Sequence, residues 1–178
     1  MNLWDYIRMG GPIMYLLLFF NIMGIAIIIY KFITIHHVKK SLLPISSLFE
    51  GERGNLKELD EQLALEYVQK QNDHRYAFLE SGLDALKIIA TISPLLGLLG
   101  TVLGVLTTFQ DVSVVGLGDP REFAEGISLA LITTVGGLVV AIPHQIAHHY
   151  FTGVVDKFYD KMDLDGLNFI KELKVRAS

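Results

Sequence analysis

The composition of this chain limits what kind of protein it can be. About half of its 178 residues (51%) are hydrophobic and only 19% are charged, which favours a membrane protein over a soluble domain. The formal net charge of −4 gives no general attraction to nucleic acid, so a nucleic-acid-binding protein is not expected. Because the chain has no cysteine, a disulfide framework, a thiolate metal site and a cysteine nucleophile are excluded.

The leader, residues 1–9, predicts a short helix at the membrane surface. Its apolar residues Leu3, Trp4 and Ile7 fall on one helical face, and its charged residues fall elsewhere. The pair Gly10-Gly11 then separates this helix from the apolar block that follows.

Residues 10–35 form a long apolar block whose only full charge is Lys31, near one end. A helix of about 20 apolar residues crosses the hydrocarbon layer of a bilayer. The block exceeds the roughly 7–15-residue apolar core of a signal peptide and lacks a basic leader, so we interpret it as a first, retained membrane span.

The next region, residues 36–84, is polar and predicts helical structure outside the hydrocarbon layer. Leu56, Leu59, Leu63 and Tyr67 repeat at helical spacing and predict one amphipathic helix.

Two further apolar blocks predict a second span over residues 85–109 and a third over residues 127–151, joined by a loop over 110–126. Both blocks carry small residues at intervals of three or four, and such stripes let helices approach closely in a membrane. The stripes comprise Gly97, Gly100 and Gly104 in the second span and Gly137 and Ala141 in the third. They either pack against each other or line a shared surface.

The last segment, residues 152–178, predicts a helix that leaves the membrane. Its apolar residues share one face among acids and lysines, and they are Phe158, Met162, Phe169, Ile170 and Leu173.

Lysine and arginine predict the orientation, because cytoplasmic flanks accumulate them. Most lysines flanking the spans fall on one side of a three-span arrangement, whereas Arg8 and Arg121 fall on the other. We therefore expect a periplasmic N-terminus and a cytoplasmic C-terminus.

Threonines cluster in the second and third spans, and four of them are candidates to line a polar path, namely Thr101, Thr108, Thr133 and Thr134. A lone threonine in a membrane helix can satisfy itself on a carbonyl of the preceding turn, but a cluster can make a polar, uncharged wall. The three predicted spans contain no Asp or Glu. If the chain serves proton conduction, a partner must supply the carboxylate.

Two prolines and three histidines in the spans have simpler interpretations. Pro94 and Pro143 lie within helical blocks, where they predict kinks. His144 and His148 share a face at the spacing of a metal pair, but no cysteine or intramembrane carboxylate completes a ligand set, so no metal site is expected. Motifs for nucleotide binding or acid–base catalysis are absent from the sequence, and neither a cofactor nor an enzymatic activity is expected.

Two long motifs resemble one known family. SPLLGLLGTVLGVLTTF (93–109) is similar to the second span of the ExbB/TolQ/MotA proton channels, and FAEGISLALITTVGGLVVAIP (123–143) is similar to their third. The leader and first span resemble the ExbB type. The chain is thus identified as a member of this family, which implies an all-α protein with three transmembrane helices and cytoplasmic helical extensions.

The resemblance also implies partners and roles. It implies a homopentameric ring in the inner membrane that encloses single-span helices of an ExbD-like or TolR-like partner carrying the proton-binding aspartate. Thr101 and Thr134, with Thr133 adjacent, then correspond to the pore-facing threonines, and the motion is passed to a TonB-like or TolA-like periplasm-spanning protein. Leu129 departs from the pattern, because several relatives carry a glutamate there.

Two alternatives stay open at this stage. One is a motility-type stator of the MotA kind, which keeps the fold and changes the output. The other is a non-conducting membrane scaffold, in which the polar stripes only hold helices together.

Overall fold

A computed structural model describes residues 3–40, 45–115 and 120–175 of the chain, and within these ranges every regular element is a helix. The α-helices are α1 (Leu3–Met9), α2 (Gly11–Lys40), α3 (Ile45–Leu48), α4 (Arg53–Glu58), α5 (Glu61–Tyr76), α6 (Leu83–Val115) and α7 (Pro120–Val175), with short 3-10 helices at Glu50–Glu52 and Ala77–Leu79. The predicted all-α fold is confirmed. The predicted loop over 110–126 is too long, because α6 continues to Val115 and α7 begins at Pro120. Residues 116–119 lie outside the described residues.

Three of these helices are long enough and apolar enough to cross a membrane. Their candidate segments are Gly11–Val38, Leu83–Ser113 and Phe123–Val175, with mean hydropathies of 2.4, 2.1 and 2.0. Helix α7 has 56 residues, and a helix rising about 1.5 Å per residue at that length is far longer than a hydrocarbon layer of about 30 Å. The predicted third span and the predicted C-terminal helix are therefore parts of one continuous helix.

The helix boundaries follow local chemistry. Gly11 takes a φ of +64° between α1 and α2, and Gly82 takes a φ of +83° before α6, a backbone region that glycine enters without a Cβ clash. Asp60 caps α5, because its side chain accepts a hydrogen bond from the Gln62 N–H at 3.2 Å.

The described residues divide into two compact units. The apolar unit comprises Met1–Ile29 and Asp84–His149, and the polar unit comprises Tyr30–Leu83 and Tyr150–Ser178. In the apolar unit a small core joins Leu17 of α2, Ile89 of α6 and Val140 of α7.

The polar unit has a core of apolar side chains, most of which are large. Its buried members are Phe49, Leu56, Ala64, Val68, Met162, Phe169, Ile170 and Leu173. Lys31 is also fully buried in this unit, and its Nζ donates to the carbonyl oxygens of Phe78 at 3.1 Å and Leu79 at 2.6 Å. Lys31 thereby caps the end of the 3-10 helix that precedes α6.

Candidate functional site

Helices α6 and α7 meet at two glycines of the predicted stripes. A Cβ added to Gly137 would lie 2.5 Å from the Ser93 carbonyl oxygen and 3.1 Å from the Gly97 Cα. A Cβ added to Gly97 would lie 2.7 Å from the Thr133 carbonyl oxygen. Both positions are bounded by backbone of the other helix, so the two helices touch along their main chains.

The same contact continues along both helices. A Cβ at Gly100 would lie 2.5 Å from the Thr133 Oγ1, and a Cβ at Gly104 would lie 2.7 Å from the Ala130 Cβ. Ala141 is buried in α7. The small residues singled out from the sequence thus lie where α6 and α7 approach each other, or are buried beside that contact.

A pair of hydroxyls bridges the two helices at this contact. The Thr101 Oγ1 of α6 and the Thr134 Oγ1 of α7 are joined by a short hydrogen bond. The Thr101 Oγ1 also lies 3.1 Å from the Ala130 carbonyl oxygen and 3.2 Å from that of Gly97, and the Thr134 Oγ1 lies 3.2 Å from the Gly97 oxygen. Both threonines are half-buried.

The hydroxyl pair has one proton more than its own bond requires. Two hydroxyls carry two protons, and the Thr101–Thr134 bond uses one of them. The second proton is shared among carbonyls that already accept helical N–H bonds, and the Gly97 oxygen also lies 3.0 Å from the Thr133 Oγ1. Because a carbonyl oxygen has only two lone pairs, Gly97 cannot accept from all three hydroxyls at once. The second proton is therefore donated either to the Ala130 oxygen or to the shared Gly97 oxygen.

The other two candidate threonines are placed differently. Thr133 is buried, and its Oγ1 donates to the Ala130 carbonyl oxygen at 2.7 Å or to that of Gly97. Thr108 donates to the Gly104 carbonyl oxygen of its own helix at 2.8 Å and packs beside Gly126. The structure brings Thr101, Thr133 and Thr134 together, and Thr108 follows Thr101 by about two helical turns.

Both prolines lie inside continuous helices, and the kinks that they predict stay predictions. Pro94 is within α6 and Pro143 is within α7. Next to Pro94, the buried Ser93 donates its hydroxyl to the Ile89 carbonyl oxygen at 2.6 Å. The bond does not replace the donor lost at the proline, because an N–H at position 94 would reach the Ala90 carbonyl oxygen, not that of Ile89.

Sequence reasoning missed the contact between α2 and α7. A Cβ at Gly10 would lie 3.3 Å from the Thr133 Cγ2, and a Cβ at Gly136 would lie 2.6 Å from the Met14 Sδ. A Cβ at Gly24 would overlap with the imidazole of His144. The signal was present in the sequence, because an isolated glycine in an apolar run marks a close approach.

The histidines are also placed differently from one another. His144 is fully buried. His149 is exposed, and its Nε2 atom lies 2.8 Å from the Nε2 atom of Gln145. Within the described ranges, no three His, Cys, Asp or Glu side chains are grouped so that they could hold a metal ion. Leu129, which departs from the pattern that the resemblance implies, is half-buried in α7.

Comparison with known proteins places these features in a family. The sequence pattern of the MotA/TolQ/ExbB proton channel family matches residues 40–164. The chain is 44% identical over 88 residues to the biopolymer transport protein exbB1 of Vibrio cholerae, which covers 49% of this chain and 37% of that protein. It is 38% identical over 96 residues to the biopolymer transport protein ExbB of Aquifex aeolicus, covering 52% and 65%.

A relative with another name is also similar. The Tol-Pal system protein TolQ of Pseudomonas aeruginosa is 35% identical over 89 residues, which cover 48% of this chain and 38% of that protein. The matched part of the chain thus spans about a third to two-thirds of the length of these relatives.

Proposed function

Because this chain belongs to the MotA/TolQ/ExbB proton channel family, we propose that it is the ring-forming subunit of an inner-membrane motor driven by the proton gradient. The motor is of the ExbB–ExbD or TolQ–TolR type, and it energises TonB-dependent transport or a related process at the outer membrane. The chain itself contributes no catalytic group and no cofactor. It supplies the polar wall against which a partner's acid takes up and releases protons.

The observation that carries this proposal is the Thr101–Thr134 hydroxyl pair. It joins two candidate membrane spans, it is half-buried, and it retains one proton that can be donated outside the pair. A carboxylate in a bilayer needs such donors, because an unpaired charge there is costly. The predicted spans 10–35, 85–109 and 127–151 contain no Asp or Glu of their own, which supports a partner as the source of the acid.

We expect that partner to be a single-span protein of the ExbD or TolR kind, enclosed by a homopentamer of this chain. The N-terminus of each subunit then faces the periplasm, as the lysine distribution predicts. A periplasm-spanning protein of the TonB or TolA kind receives the motion. Each subunit has one Thr101–Thr134 hydroxyl pair at the contact between α6 and α7. A ring of subunits therefore repeats this pair around its axis.

In this mechanism a proton neutralises the partner's carboxylate and weakens its bond to one hydroxyl pair. Loss of the proton on the other side of the membrane restores the charge, and the carboxylate binds the next pair. Each proton crossing a potential of 100 mV releases about 2.3 kcal/mol. That energy is comparable to the roughly 1.5–3 kcal/mol of one hydrogen bond to a charged group, so one proton supplies about the energy of one carboxylate–hydroxyl bond.

A threonine-to-valine series in vesicles that contain the chain and its co-purifying single-span partner tests the proposal. Threonine and valine have nearly the same shape and differ by the hydroxyl, so the substitution removes the donor and changes the volume little. We expect Thr101→Val with Thr134→Val to abolish proton flux while the partner still co-purifies, and Thr→Ser at both positions to retain part of it. Thr107→Val is the matched control, because the Thr107 hydroxyl is exposed and donates to the Gly104 carbonyl of its own helix.

One observation favours a second candidate, a non-conducting scaffold. Each hydroxyl of the pair also has an acceptor within the chain, as a purely structural pair would. In that case the double valine variant and the Thr107→Val control conduct equally. Full flux in the double variant would assign the threonines to packing and proton handling to the partner alone.

A further inference from the structure

His144 is a titratable side chain that the proposed proton path does not use. It lies in α7 and is fully buried in the apolar unit. The apolar unit ends at His149, five residues after His144. Five residues correspond to a rise of about 8 Å along a helix. A fully buried histidine at that depth of a span is uncommon and requires a reason.

The hydrogen bonding of the imidazole defines which nitrogen carries the proton. The His144 Nδ1 lies 2.6 Å from the Val140 carbonyl oxygen. Because a carbonyl oxygen can only accept, Nδ1 is the donor, and in the neutral ring Nε2 is a bare acceptor. The Nε2 atom is buried and has no hydrogen-bond partner among the described residues. It is therefore an unoccupied acceptor inside the protein.

The unoccupied nitrogen is the ring atom nearest to Gly24 of α2. A Cβ at Gly24 would overlap with His144, and Nε2 is closest to it, so glycine is the one residue that lets α2 pack on the ring. From Leu16 to Ile29, α2 carries no titratable side chain. On α6 the nearest charged residues toward this end are Asp84 and Lys87, both exposed, and on α7 itself His148 follows one turn later.

We propose that His144 is a proton-binding site of the chain, and that proton uptake at its Nε2 releases α2 from α7. In the neutral state Nε2 needs no acceptor, and the ring packs at Gly24 of α2. In the protonated state Nε2 becomes a donor and requires an acceptor. The helical carbonyls around Gly24 already accept N–H bonds, so the new donor is satisfied when water enters between the helices.

This site is distinct from the Thr101–Thr134 pair and does not depend on the proposed function. The hydroxyl pair joins α6 to α7, whereas His144 contacts α2. Proton binding at His144 therefore regulates how the first candidate span is held, and it is measured on this chain alone in bilayers, without a single-span partner. A failed flux experiment and a failed His144 experiment thus have separate readouts.

Nitrogen-15 magnetic resonance of the full chain in lipid bilayers tests the protonation directly. The chain has six histidines, and His144 is assigned as the signal lost in His144→Gln. Spectra are recorded from about pH 8 to about pH 5, and we expect the neutral Nδ1–H form at the high-pH end and the doubly protonated form at the low-pH end. An Nε2–H neutral form, or a ring that stays neutral throughout this range, would overturn the proposal.

Helix release is tested with a single introduced thiol, since the chain has no cysteine. Leu17→Cys places the thiol in the α2 contact, because Leu17 is buried beside Val140 of α7. After division by the rate of free cysteine at the same pH, which corrects for the thiolate fraction, we expect a membrane-permeant maleimide to react about tenfold faster at low pH than at high pH. The acceleration should disappear in Leu17→Cys combined with His144→Gln.

The control is Leu17→Cys combined with His148→Gln, which removes the half-buried histidine one turn later on the same helix. It should retain the acceleration at low pH. Gly24→Ala should give fast labelling at every pH, because the added methyl overlaps with the ring. Acceleration that survives His144→Gln would contradict the proposal even if every variant folds.

Discussion

In the apolar unit α6 and α7 meet through glycines, whereas in the polar unit α4, α5 and the end of α7 meet through large side chains. The first contact is bounded by main-chain atoms at Gly97 and Gly137. The second buries Phe49, Leu56 and Ile170 almost completely. One helix, α7, belongs to both arrangements, so its two parts pack by different rules.

The difference follows from the solvent that each unit requires. In lipid, an apolar side chain gains little free energy by moving from lipid into a contact with another helix. Close main-chain approach and hydrogen bonds therefore hold the helices together. In water, each Å² of apolar surface buried contributes about 25 cal/mol, so large side chains dominate the core. Variants on α7 can test this contrast, because the helix offers a matched control in each case.

The largest expected effect is in the polar unit, at Ile170. This residue is completely buried, and Ile170→Ala removes three methyl or methylene groups and leaves a cavity. We expect the free energy of unfolding to fall by about 2–5 kcal/mol, measured by chemical unfolding in mild detergent.

The control for Ile170 is Leu164→Ala on the same helix. Leu164 is 62% exposed, so its truncation should change the stability little. Equal losses at both positions would mean that this part of α7 is not packed by burial, and the contrast between the units would fail.

The next effect is in the apolar unit, at Gly137. The added methyl of Gly137→Ala would meet the Ser93 carbonyl oxygen and the Gly97 Cα, which are main-chain atoms that cannot rotate away. Such overpacking costs about 1–3 kcal/mol, and we expect a lower unfolding temperature in detergent.

The same substitution at Gly153 is the control. A Cβ there meets nothing within 4 Å, so Gly153→Ala should raise the stability by about 0.5–1 kcal/mol through helix propensity. A Gly137→Ala variant that is also more stable would show that α6 and α7 do not touch at their main chains.

The sequence predicted the apolar face of the last part of α7 well and the polar region before α6 poorly. The apolar stripe Phe158, Met162, Phe169, Ile170 and Leu173 lies in or against the core of the polar unit, as its spacing predicts. The stripe predicted over Leu56, Leu59, Leu63 and Tyr67 was wrong. Leu56 is buried, but Leu63 and Tyr67 are exposed, and the core takes Ala64 and Val68 in their place.

The error comes from a break within the predicted helix. Leu59 has an extended ψ of 153°, and Asp60 caps a new helix, so α4 and α5 have separate registers. A capping aspartate can be recognised in sequence, but whether the chain turns there depends on what the next helix packs against. The contact of α2 with His144 was missed for the same reason. Sequence periodicity identifies the apolar face of a helix, but it does not identify the helix that packs against that face.

A smaller effect is expected at Thr133, whose buried hydroxyl joins α7 to the Gly97 carbonyl of α6. Thr133→Val keeps the volume and removes this bond, so the stability should fall by about 0.5–1.5 kcal/mol. Thr152→Val is the control on the same helix, because the Thr152 Oγ1 is buried and has no partner among the described residues. Its replacement should leave the stability unchanged or higher, and unfolding in detergent measures both.

The smallest effect concerns a charge in the polar unit, well beyond the predicted third span. Burial raises the pKa of the Asp163 carboxyl, and the nearby Asp73 and Asp160 raise it further, against a hydrogen bond from Gln69 that lowers it. A carboxyl whose pKa is raised on folding stabilises the fold fully below its unfolded pKa, and this contribution is lost as the pH rises through the folded pKa. At neutral pH the ionised Asp163 therefore destabilises the polar unit.

Asp163→Asn should thus stabilise the chain at neutral pH by less than about 1 kcal/mol, the range of partly exposed charge interactions. The gain should shrink as the pH falls toward about 4, where the unfolded carboxyl is also protonated. Asp165→Asn, which removes an exposed acid two residues later, controls for the change in net charge. Unfolding followed across this pH range in both variants gives the comparison, and an equal gain in the two would assign the effect to net charge and not to the buried position of Asp163.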